Sequence, residues 1–247
     1  MSRIVCWFSC GAASAVATKL AISNKPKDSE LVVVYTHVEE EHPDNMRFMK
    51  DCERWFGQEI QVLKNEKYNG SISEVFSREK YMSGIMGAPC TRLLKREVRK
   101  KFQQPDDIHV FGYTAEEQHR VDRFIDANND AEIWAILVEK GLTKKDCLAM
   151  IERAGIEIPE MYKLGYRNNN CIGCVKGGAG YWNKIRNDFP DVFKLRCEQS
   201  RKLGARLIKL KGKRIFLDEL PPYAGNYPKE KAIECGFLCE LAEKDYL

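Results

Sequence analysis

Residues 4–14 read Ile4-Val5-Cys6-Trp7-Phe8-Ser9-Cys10-Gly11-Ala12-Ala13-Ser14. An apolar run thus passes through small residues directly into the helix formers of residues 15–22. This order predicts a buried strand, a tight turn and a helix. Small side chains at such a turn let backbone N–H groups and the helix dipole hold a phosphate or a sulfate. Taken alone, the stretch fits an anion site and an ordinary packed turn equally well.

Further apolar runs alternate with helical patterns along the chain. Candidate strands lie at residues 31–35, 60–63 and 108–111, and candidate helices at residues 42–56, 92–102 and 115–127. This alternation predicts parallel βαβ crossovers, and hence an α/β fold with a doubly wound, mostly parallel sheet that is Rossmann-like.

The pattern changes at about Tyr166, where the sequence becomes rich in Asn, Gly and Cys. We therefore expect a first α/β domain over residues 1–165 and a Cys-rich C-terminal segment over residues 166–247. This segment is predicted to contain two helices, at residues 181–188 and 190–202, and a small hairpin built from residues 206–217. The proline-rich residues 221–228 suit a mobile tail.

The composition of the 247 residues, with 31% charged and 44% hydrophobic side chains, is typical of a folded soluble protein. No apolar run approaches the ~20 residues that span a bilayer, and the N-terminus lacks the features of a signal peptide, so we expect a cytoplasmic protein that does not bind membranes. The net charge of +4 is too small to indicate nucleic-acid binding. Ten cysteines in a reducing compartment point to reactive thiols or metal ligands.

Two more polar loops follow predicted strands. The first begins with Thr36 and His37, and the second runs from Gly112 and Tyr113 to Arg120. Open α/β sheets bind ligands beyond the carboxyl ends of their strands, and arginine suits phosphate or sulfate oxygens, so we expect one shared cleft. His37 is the preferred ligand-binding residue of its loop, where a ribose and a metal ion are both open as ligands. Residues 40 and 41 are interpreted as solvated acids.

Six of the cysteines lie in contexts that indicate chemistry or leave it open. Cys171-Ile172-Gly173-Cys174 is a CxxC in a loop that allows the tight backbone of a metal chelate. Cys90 precedes a basic helix, where a thiolate is favoured, and it is either a ligand or a nucleophile. Cys235 and Cys239 are either thiols that swing into a cleft or part of a zinc or iron–sulfur site. Cys10 stays ambiguous. The other four are predicted to be packing residues: Cys6, Cys52, Cys147 and Cys197.

Taken in order, these segments resemble the phosphoadenylyl-sulfate (PAPS) and adenylyl-sulfate reductases of the adenine-nucleotide α-hydrolase, or PP-loop, superfamily. Residues 8–14 stand where the family has its SGGxDS loop, and residues 35–39 look like its DTG-type strand end. Residues 90–96 resemble the CCRxxKxxP segment, and residues 112–120 the TGxRxxQSxxR loop. Glu234-Cys235-Gly236 resembles the terminal ECGLH box.

The resemblance implies that residues 1–165 bind an adenine nucleotide sulfate. Cys235 would attack its sulfur, and a thioredoxin- or glutaredoxin-type reductant would release sulfite. A homodimer is compatible with this family. The iron–sulfur branch further implies a [4Fe-4S] cluster on Cys90, Cys171 and Cys174, with the fourth position open or filled by Cys239; zinc is the alternative metal. The residues implied in nucleotide and sulfate binding are Ser9, Cys10, Gly11, Ala12, Ala13, Ser14, Thr36, His37, Gly112, Tyr113 and Arg120.

Departures from the family pattern keep two alternatives open. Pro89 stands where the family has the first Cys of a pair, and Tyr113 where it has Arg. A three-cysteine set fits an enzyme that splits ATP to AMP and pyrophosphate and transfers sulfur to a nucleic acid or a small metabolite. The basic residues of 92–101 would then meet phosphates, although a solvated helix face is their favoured interpretation. The other alternative is an inactive, zinc-stabilised nucleotide-binding module.

Overall fold

The computed structural model describes residues 2–83, 87–128 and 131–233. Its contacts divide the chain into two compact units. The sheet unit contains the residues up to His37 together with His42–Lys64 and Glu97–Asn169. The cysteine unit contains Val38–Glu41, Asn65–Arg96 and the chain from Asn170 onward. The domain boundary expected after residue 165 stays a prediction, and residues 65–96 group with the C-terminal part of the chain.

The sheet unit is built on five parallel strands in the order β3-β2-β1-β4-β5. The order runs outward in opposite directions from β1, so right-handed crossovers place helices on both faces of the sheet. This confirms the predicted α/β class with a doubly wound parallel sheet. The strands are β1 (Arg3–Phe8), β2 (Glu30–Thr36), β3 (Ile60–Leu63), β4 (Ile108–Val110) and β5 (Glu132–Ile133).

Helices follow the strands, and three of them, α6 to α8, fill a stretch for which the sequence analysis predicted no element. The helices of the described residues are α1 (Ala12–Asn24), α2 (Asn45–Phe56), α3 (Ile72–Glu79), α4 (Glu97–Phe102), α5 (Gln118–Ala127), α6 (Ile136–Glu139), α7 (Lys144–Arg153), α8 (Glu160–Lys163), α9 (Ala179–Asp188) and α10 (Pro190–Lys202). None of these is long and apolar enough to cross a membrane.

The core of the sheet unit forms around β1, whose residues from Ile4 to Phe8 are all buried. A central parallel strand is covered on both faces, which explains why this stretch is a continuous apolar run without alternation. Cys6, Cys52 and Cys147 lie in this core as predicted. Burial raises the thiol pKa of Cys6 and Cys52, and that of Cys147 to about 12, so these thiols stay protonated at neutral pH.

The cysteine unit contains α3, α9, α10 and an antiparallel hairpin of β6 (Ile208–Leu210) and β7 (Lys213–Ile215). Both helices and the hairpin predicted for this part of the chain are therefore present. Cys197, predicted to be buried, is only half-buried on α10.

The segment after the hairpin differs from the mobile tail expected there. Asn183 Nδ2 donates hydrogen bonds of 2.8 and 2.7 Å to the carbonyls of Pro221 and Ala224. Gly225 crosses α9 so closely that a Cβ on it would lie 2.1 Å from the nitrogen of Gly180. Residues 221–233 are thus held against α9 by contacts that local sequence patterns do not predict.

Candidate functional site

The loop after β1 folds back around the side chain of Ser14. Its hydroxyl accepts a 3.0 Å hydrogen bond from the N–H of Ser9 and donates one of 2.9 Å to the carbonyl of Gly11. Cys10, at the sharpest point, has a φ of +53°. The thiol of Cys10 is buried and lies 3.7 Å from the carbonyl of Asn45. Cys10 therefore offers only its backbone to a ligand, whereas Ser9 is exposed.

The N-terminus of α1 opens onto this loop. Gly11 is the N-cap and supplies no side chain, so the first N–H groups of the helix depend on other partners. The hydroxyl of Tyr162 bonds the backbone of Ala12, and desolvation raises the pKa of Tyr162 to about 12, which keeps it neutral. A helix start lined by Gly11, Ala12 and Ala13 suits the close approach of an anion.

Gly112 joins the end of β4 to the same loop. A Cβ at this position would lie 2.4 Å from the nitrogen of Ser14 and 2.7 Å from its Cα, so any residue other than glycine would force the two backbones apart. The structure thus brings together two of the three loops predicted to share a cleft, those after β1 and β4.

The two side chains that follow Gly112 in the prediction differ in exposure. Tyr113 is buried, and burial raises its pKa to about 12. The guanidinium of Arg120 lies 4.5 Å from the centre of the Tyr113 ring and pairs with Glu117. Arg120 is half-buried and remains the residue of this loop best suited to an oxyanion.

The loop after β2 begins with Thr36 and His37. Thr36 is buried, and its hydroxyl has no hydrogen-bond partner among the described residues. His37 is half-buried and donates its backbone N–H to the carbonyl of Leu63 at 2.8 Å. A buried hydroxyl without a partner costs about 1–3 kcal/mol, which a bound polar ligand or water would recover.

Asn169, which the sequence analysis did not single out, supports the loop after β1, and Lys144 holds the two residues before Asn169. Asn169 is buried and donates to the carbonyl of Cys10 at 2.6 Å and to Asn45 Oδ1 at 2.7 Å. Lys144, at the start of α7, donates to the Arg167 carbonyl and to Asn168, and desolvation lowers its pKa. The Thr-x-x-Asp capping box at Thr143 marks this helix start and was the available sequence clue.

In the cysteine unit, the CxxC loop is held by the hydroxyl of Tyr181 on α9. This hydroxyl accepts a 2.9 Å hydrogen bond from the N–H of Cys174 and donates to the carbonyl of Cys171 at 3.4 Å. Gly173 has a φ of +71°, and a Cβ on it would lie 2.7 Å from Val192. Both cysteines are buried, and the loop between them requires glycine at position 173.

A buried ion pair lies beside Cys171. Glu41 is 8% exposed, and one of its carboxylate oxygens, Oε1, lies 2.9 Å from Lys95 Nζ and 4.0 Å from Cys171 Sγ. The interpretation of Glu41 as a solvated acid was therefore wrong, because its partner comes from residues more than fifty positions away in the chain.

Glu40 is also not a solvated acid. Its carboxylate accepts the N–H groups of Ile72 at 2.7 Å and Ser73 at 2.9 Å, which caps α3, and it lies 3.8 Å from the buried guanidinium of Arg196. The carbonyl of Glu40 accepts the N–H of Ile172 at 2.8 Å, which ties this short segment to the CxxC loop.

The basic run at residues 92–101 does not form the solvated face expected of it. Arg96 and Arg99 are buried, and Lys95 is paired with Glu41. Lys100 and Lys101 remain exposed. Under the sulfur-transfer alternative, the six basic residues of 92–101 would meet phosphates. Three of them, Lys95, Arg96 and Arg99, are instead buried or paired inside the protein.

The sequence matches a known family over most of its length. A model of the phosphoadenosine phosphosulfate reductase domain matches residues 3–178. The chain belongs to this family. Among solved structures, the U34-tRNA thiolase NcsA from Methanococcus maripaludis, with its [4Fe-4S] cluster, is similar at 12% identity with a TM-score of 0.47, over 82% of this chain and 72% of that one. No curated protein sequence matches.

The match to the PAPS reductase family includes the loops after β1, β2 and β4 and the CxxC, but it ends before the terminal cysteines. Cys235 and Cys239 also lie outside the described residues. The last described residue, Ile233, accepts a hydrogen bond of 3.1 Å at its carbonyl from Asn170 Nδ2, and Asn170 is the residue before Cys171.

The resemblance implies a metal site on Cys90, Cys171 and Cys174. Cys90 is half-buried and precedes a π-helical turn at Thr91–Arg96. Within residues 2–83, 87–128 and 131–233, no three His, Cys, Asp or Glu side chains lie close enough together to hold a metal ion. The described side chains of Cys90, Cys171 and Cys174 thus do not form the expected three-ligand set.

Proposed function

We propose that this chain is an enzyme of the PAPS reductase family that binds an adenine nucleotide sulfate at the sheet unit and releases sulfite through the thiol of Cys235. The observation that supports this most strongly is the contact of Gly112 with the backbone of Ser14, which unites two motif loops of the family at the start of α1.

In the proposed binding site, backbone groups make most of the contacts with the anion. The N–H groups of Gly11 and Ala13 would hold the phosphate or sulfate oxygens at the start of α1, with the Ser9 hydroxyl beside them. Arg120 would add a cation. The unpartnered hydroxyl of Thr36 and the ring of His37 would meet the ribose or the adenine.

The proposed chemistry transfers one electron pair. The thiolate of Cys235 attacks the sulfate sulfur, an S–S bond forms, and the S–O bond to the nucleotide breaks, so the nucleotide phosphate leaves. A dithiol protein of the thioredoxin or glutaredoxin type then attacks Cys235 Sγ, and sulfite leaves with the bonding electrons. The second thiol of the reductant displaces Cys235 from the mixed disulfide, which returns Cys235 to its thiol form and leaves the reductant oxidised.

Sulfite release from PAPS and from adenylyl sulfate, with reduced thioredoxin as the donor, tests this proposal. We expect one of the two nucleotides to yield sulfite and the Cys235→Ser variant to lose the activity, whereas Cys197→Ser, a thiol on α10, retains it. Activity that survives in Cys235→Ser would contradict the assignment of the nucleophile.

The same purified protein tests the sulfur-transfer alternative. If neither sulfate yields sulfite while ATP is split into AMP and pyrophosphate, the adenylating enzyme replaces the reductase. Nucleotide binding without turnover of any of these compounds would favour the inactive module.

The cluster stays a separate prediction of the family resemblance. Anaerobic purification, an ultraviolet–visible spectrum and analysis of iron, sulfide and zinc would test it in the wild-type protein and in Cys171→Ala. A brown protein with about four irons, lost in the variant, would support a [4Fe-4S] site. A colourless protein loaded with zinc would leave Cys171 and Cys174 as structural ligands.

A further inference from the structure

A strongly basic stretch lies outside the part of the sequence that matches the family. Residues 201–217 carry seven basic side chains and no acidic one. Arg201 pairs with Asp218 and Glu219, both at 2.9 Å. The other six are exposed and make no ion pair with a described residue: Lys202, Arg206, Lys209, Lys211, Lys213 and Arg214. We call the segment formed by residues 201–217 the basic hairpin.

The strand register of the hairpin sets two of these cations against each other. Lys209 on β6 is directly opposite Arg214 on β7. Like charges at opposed positions destabilise an antiparallel pair, since the two side chains emerge on the same face a few ångströms apart. The opposite face carries the apolar pair Ile208 and Ile215 and, at the next position, Leu210 opposite Lys213. An anion on the exposed face would turn this repulsion into attraction.

An open cavity of about 660 Å³ lies beside the hairpin within the same unit. Its lining combines cations with aromatic rings: Lys80, Arg206, Arg214, Tyr81 and Phe216 take part. The guanidinium groups of Arg201 and Arg206 lie 4.0 and 5.3 Å from the centre of the Phe216 ring. Flat cations and aromatic rings are the groups on which unpaired bases stack, and the cavity has room for a nucleotide turned out of a strand.

We infer that the basic hairpin and the cavity beside it bind single-stranded RNA. The lysines of the hairpin meet the phosphodiester backbone, and the cavity receives one unpaired base. A membrane surface is a poorer match for the hairpin. Elements that bind membranes insert large apolar side chains, and none of the exposed large hydrophobic residues of the described chain lies on the hairpin. RNA is the polymer that presents unpaired bases in folded loops.

This inference concerns a second surface and does not depend on the cysteine chemistry proposed above. Its test measures binding alone, in the absence of nucleotide sulfate and of reductant. A failure here would leave the sulfite assay unaffected, and a failure of the sulfite assay would leave the RNA surface in place.

The experiment compares two triple variants with the same change in net charge. One is Lys209→Ser, Lys211→Ser and Lys213→Ser on the hairpin. The control is Lys27→Ser, Lys50→Ser and Lys145→Ser, three exposed lysines of the sheet unit. Fluorescence anisotropy measures the binding of an unstructured, labelled RNA of about 20 nucleotides over a series of salt concentrations.

We expect the hairpin variant to bind about tenfold or more weakly and its plot of log K against log salt to be shallower by about 2, because about 0.7 of slope accompanies each single-strand phosphate contact. The control should bind like wild type. In a further variant, Arg206→Lys, the salt dependence should stay unchanged while affinity falls a few fold, since the flat guanidinium is lost but not the charge.

Three results would overturn the inference. The first is equal weakening in the two triple variants, which would indicate a diffuse charge effect. The second is binding that is tighter to duplex DNA than to the single strand. The third is binding to phosphatidylserine vesicles that the hairpin variant loses while RNA binding stays weak in the wild type.

Discussion

At the scale of single residues, His109 shows how burial selects a protonation state. It is 1% exposed on β4, and its Nδ1 accepts a hydrogen bond of 3.0 Å from the indole N–H of Trp7. Only a neutral imidazole can accept this bond. Burial, with the charge of Arg99 in addition, lowers the pKa of His109 to about 4.

The stability of the protein should therefore fall as the pH drops from about 6.5 to about 4. In this window the unfolded chain binds a proton at His109 that the folded chain does not bind. The stabilisation from neutral His109 is therefore complete above pH 6.5, and the free energy of unfolding falls by up to ~3 kcal/mol as the pH drops to about 4. Urea unfolding of wild type and His109→Asn at about pH 7 and pH 4.5 measures this. Asparagine retains an acceptor for Trp7 but does not titrate, so the His109→Asn variant should lose less stability than the wild type between pH 7 and pH 4.5. The variant His119→Asn, at an exposed histidine, serves as the control. An equal fall in the free energy of unfolding in all three proteins would contradict the expectation.

Gly112 carries the second prediction at this scale. Gly112→Ala places a methyl group 2.4 Å from the backbone of Ser14, so we expect loss of adenine-nucleotide binding and a fall of several kcal/mol in the free energy of unfolding. Gly57→Ala is the matched control, because its φ is +70° but nothing lies within 4 Å of the added methyl group. That variant should lose only about 1 kcal/mol and should bind nucleotide normally. Isothermal titration with an adenosine phosphate, together with thermal unfolding, separates the two effects.

Residue-scale prediction from the sequence succeeded where the partner is local and failed where it is distant. The small loop of Ser9 to Ser14 was recognised because the strand, the turn and the helix are consecutive. Glu40 and Glu41 were misinterpreted because the groups that bind them, at residues 71–73 and at Lys95, come from other parts of the chain. Periodicity and composition contain no information about such pairs.

At the scale of secondary structure, apolar runs located four of the five strands. β5 has only two residues and was missed, since a strand of that length has no pattern of its own. α3 and α7 were missed although each starts with a capping signature, Ser71-x-x-Glu74 and Thr143-x-x-Asp146. The capping signature is thus the local signal that marks both helices in the sequence.

The first turn of α9 depends on a residue fifty positions later. The two carboxylate oxygens of Glu230 accept the N–H groups of Gly180 at 2.6 Å and Tyr181 at 3.0 Å. Glu230→Ala removes this cap, and we expect a loss of about 1–2 kcal/mol and faster amide exchange in residues 179–183. The exposed Glu152→Ala should leave both quantities unchanged. Hydrogen exchange that stays at the wild-type rate in the Glu230 variant would show that α9 does not need the cap.

At the scale of the whole molecule, the chain moves back and forth between the two units. Val38–Glu41 and Asn65–Arg96 belong to the cysteine unit, although sheet-unit segments precede and follow each of them. Composition marks a change near residue 166 because that is where the cysteines concentrate. It does not reveal that residues 65–96 complete the same unit, since their apolar content resembles that of any helical stretch.

A fragment ending at residue 165 should therefore fold poorly. It keeps Asn65–Arg96 but lacks the chain from Asn170 onward, so buried side chains such as Phe76 and the charge of Glu40 lose part of their surroundings, including Arg196 at 5.4 Å from the Phe76 ring. We expect low solubility and binding of a hydrophobic dye, compared with the full chain by circular dichroism and dye fluorescence. A soluble fragment with a cooperative thermal transition would support the boundary predicted from composition.

Glu40 links three segments that are far apart in the sequence, through its carboxylate at residues 71–73 and Arg196 and through its carbonyl at Ile172. Residues linked by such contacts are expected to change together among related sequences. In relatives that have lost the acid at position 40, we expect position 196 to have lost its positive charge as well, because the buried guanidinium of Arg196 would otherwise lie without a nearby counter-charge. The residue type at position 172 should not covary with positions 40 and 196 in the same comparison, since Ile172 contributes only its backbone N–H to the linkage.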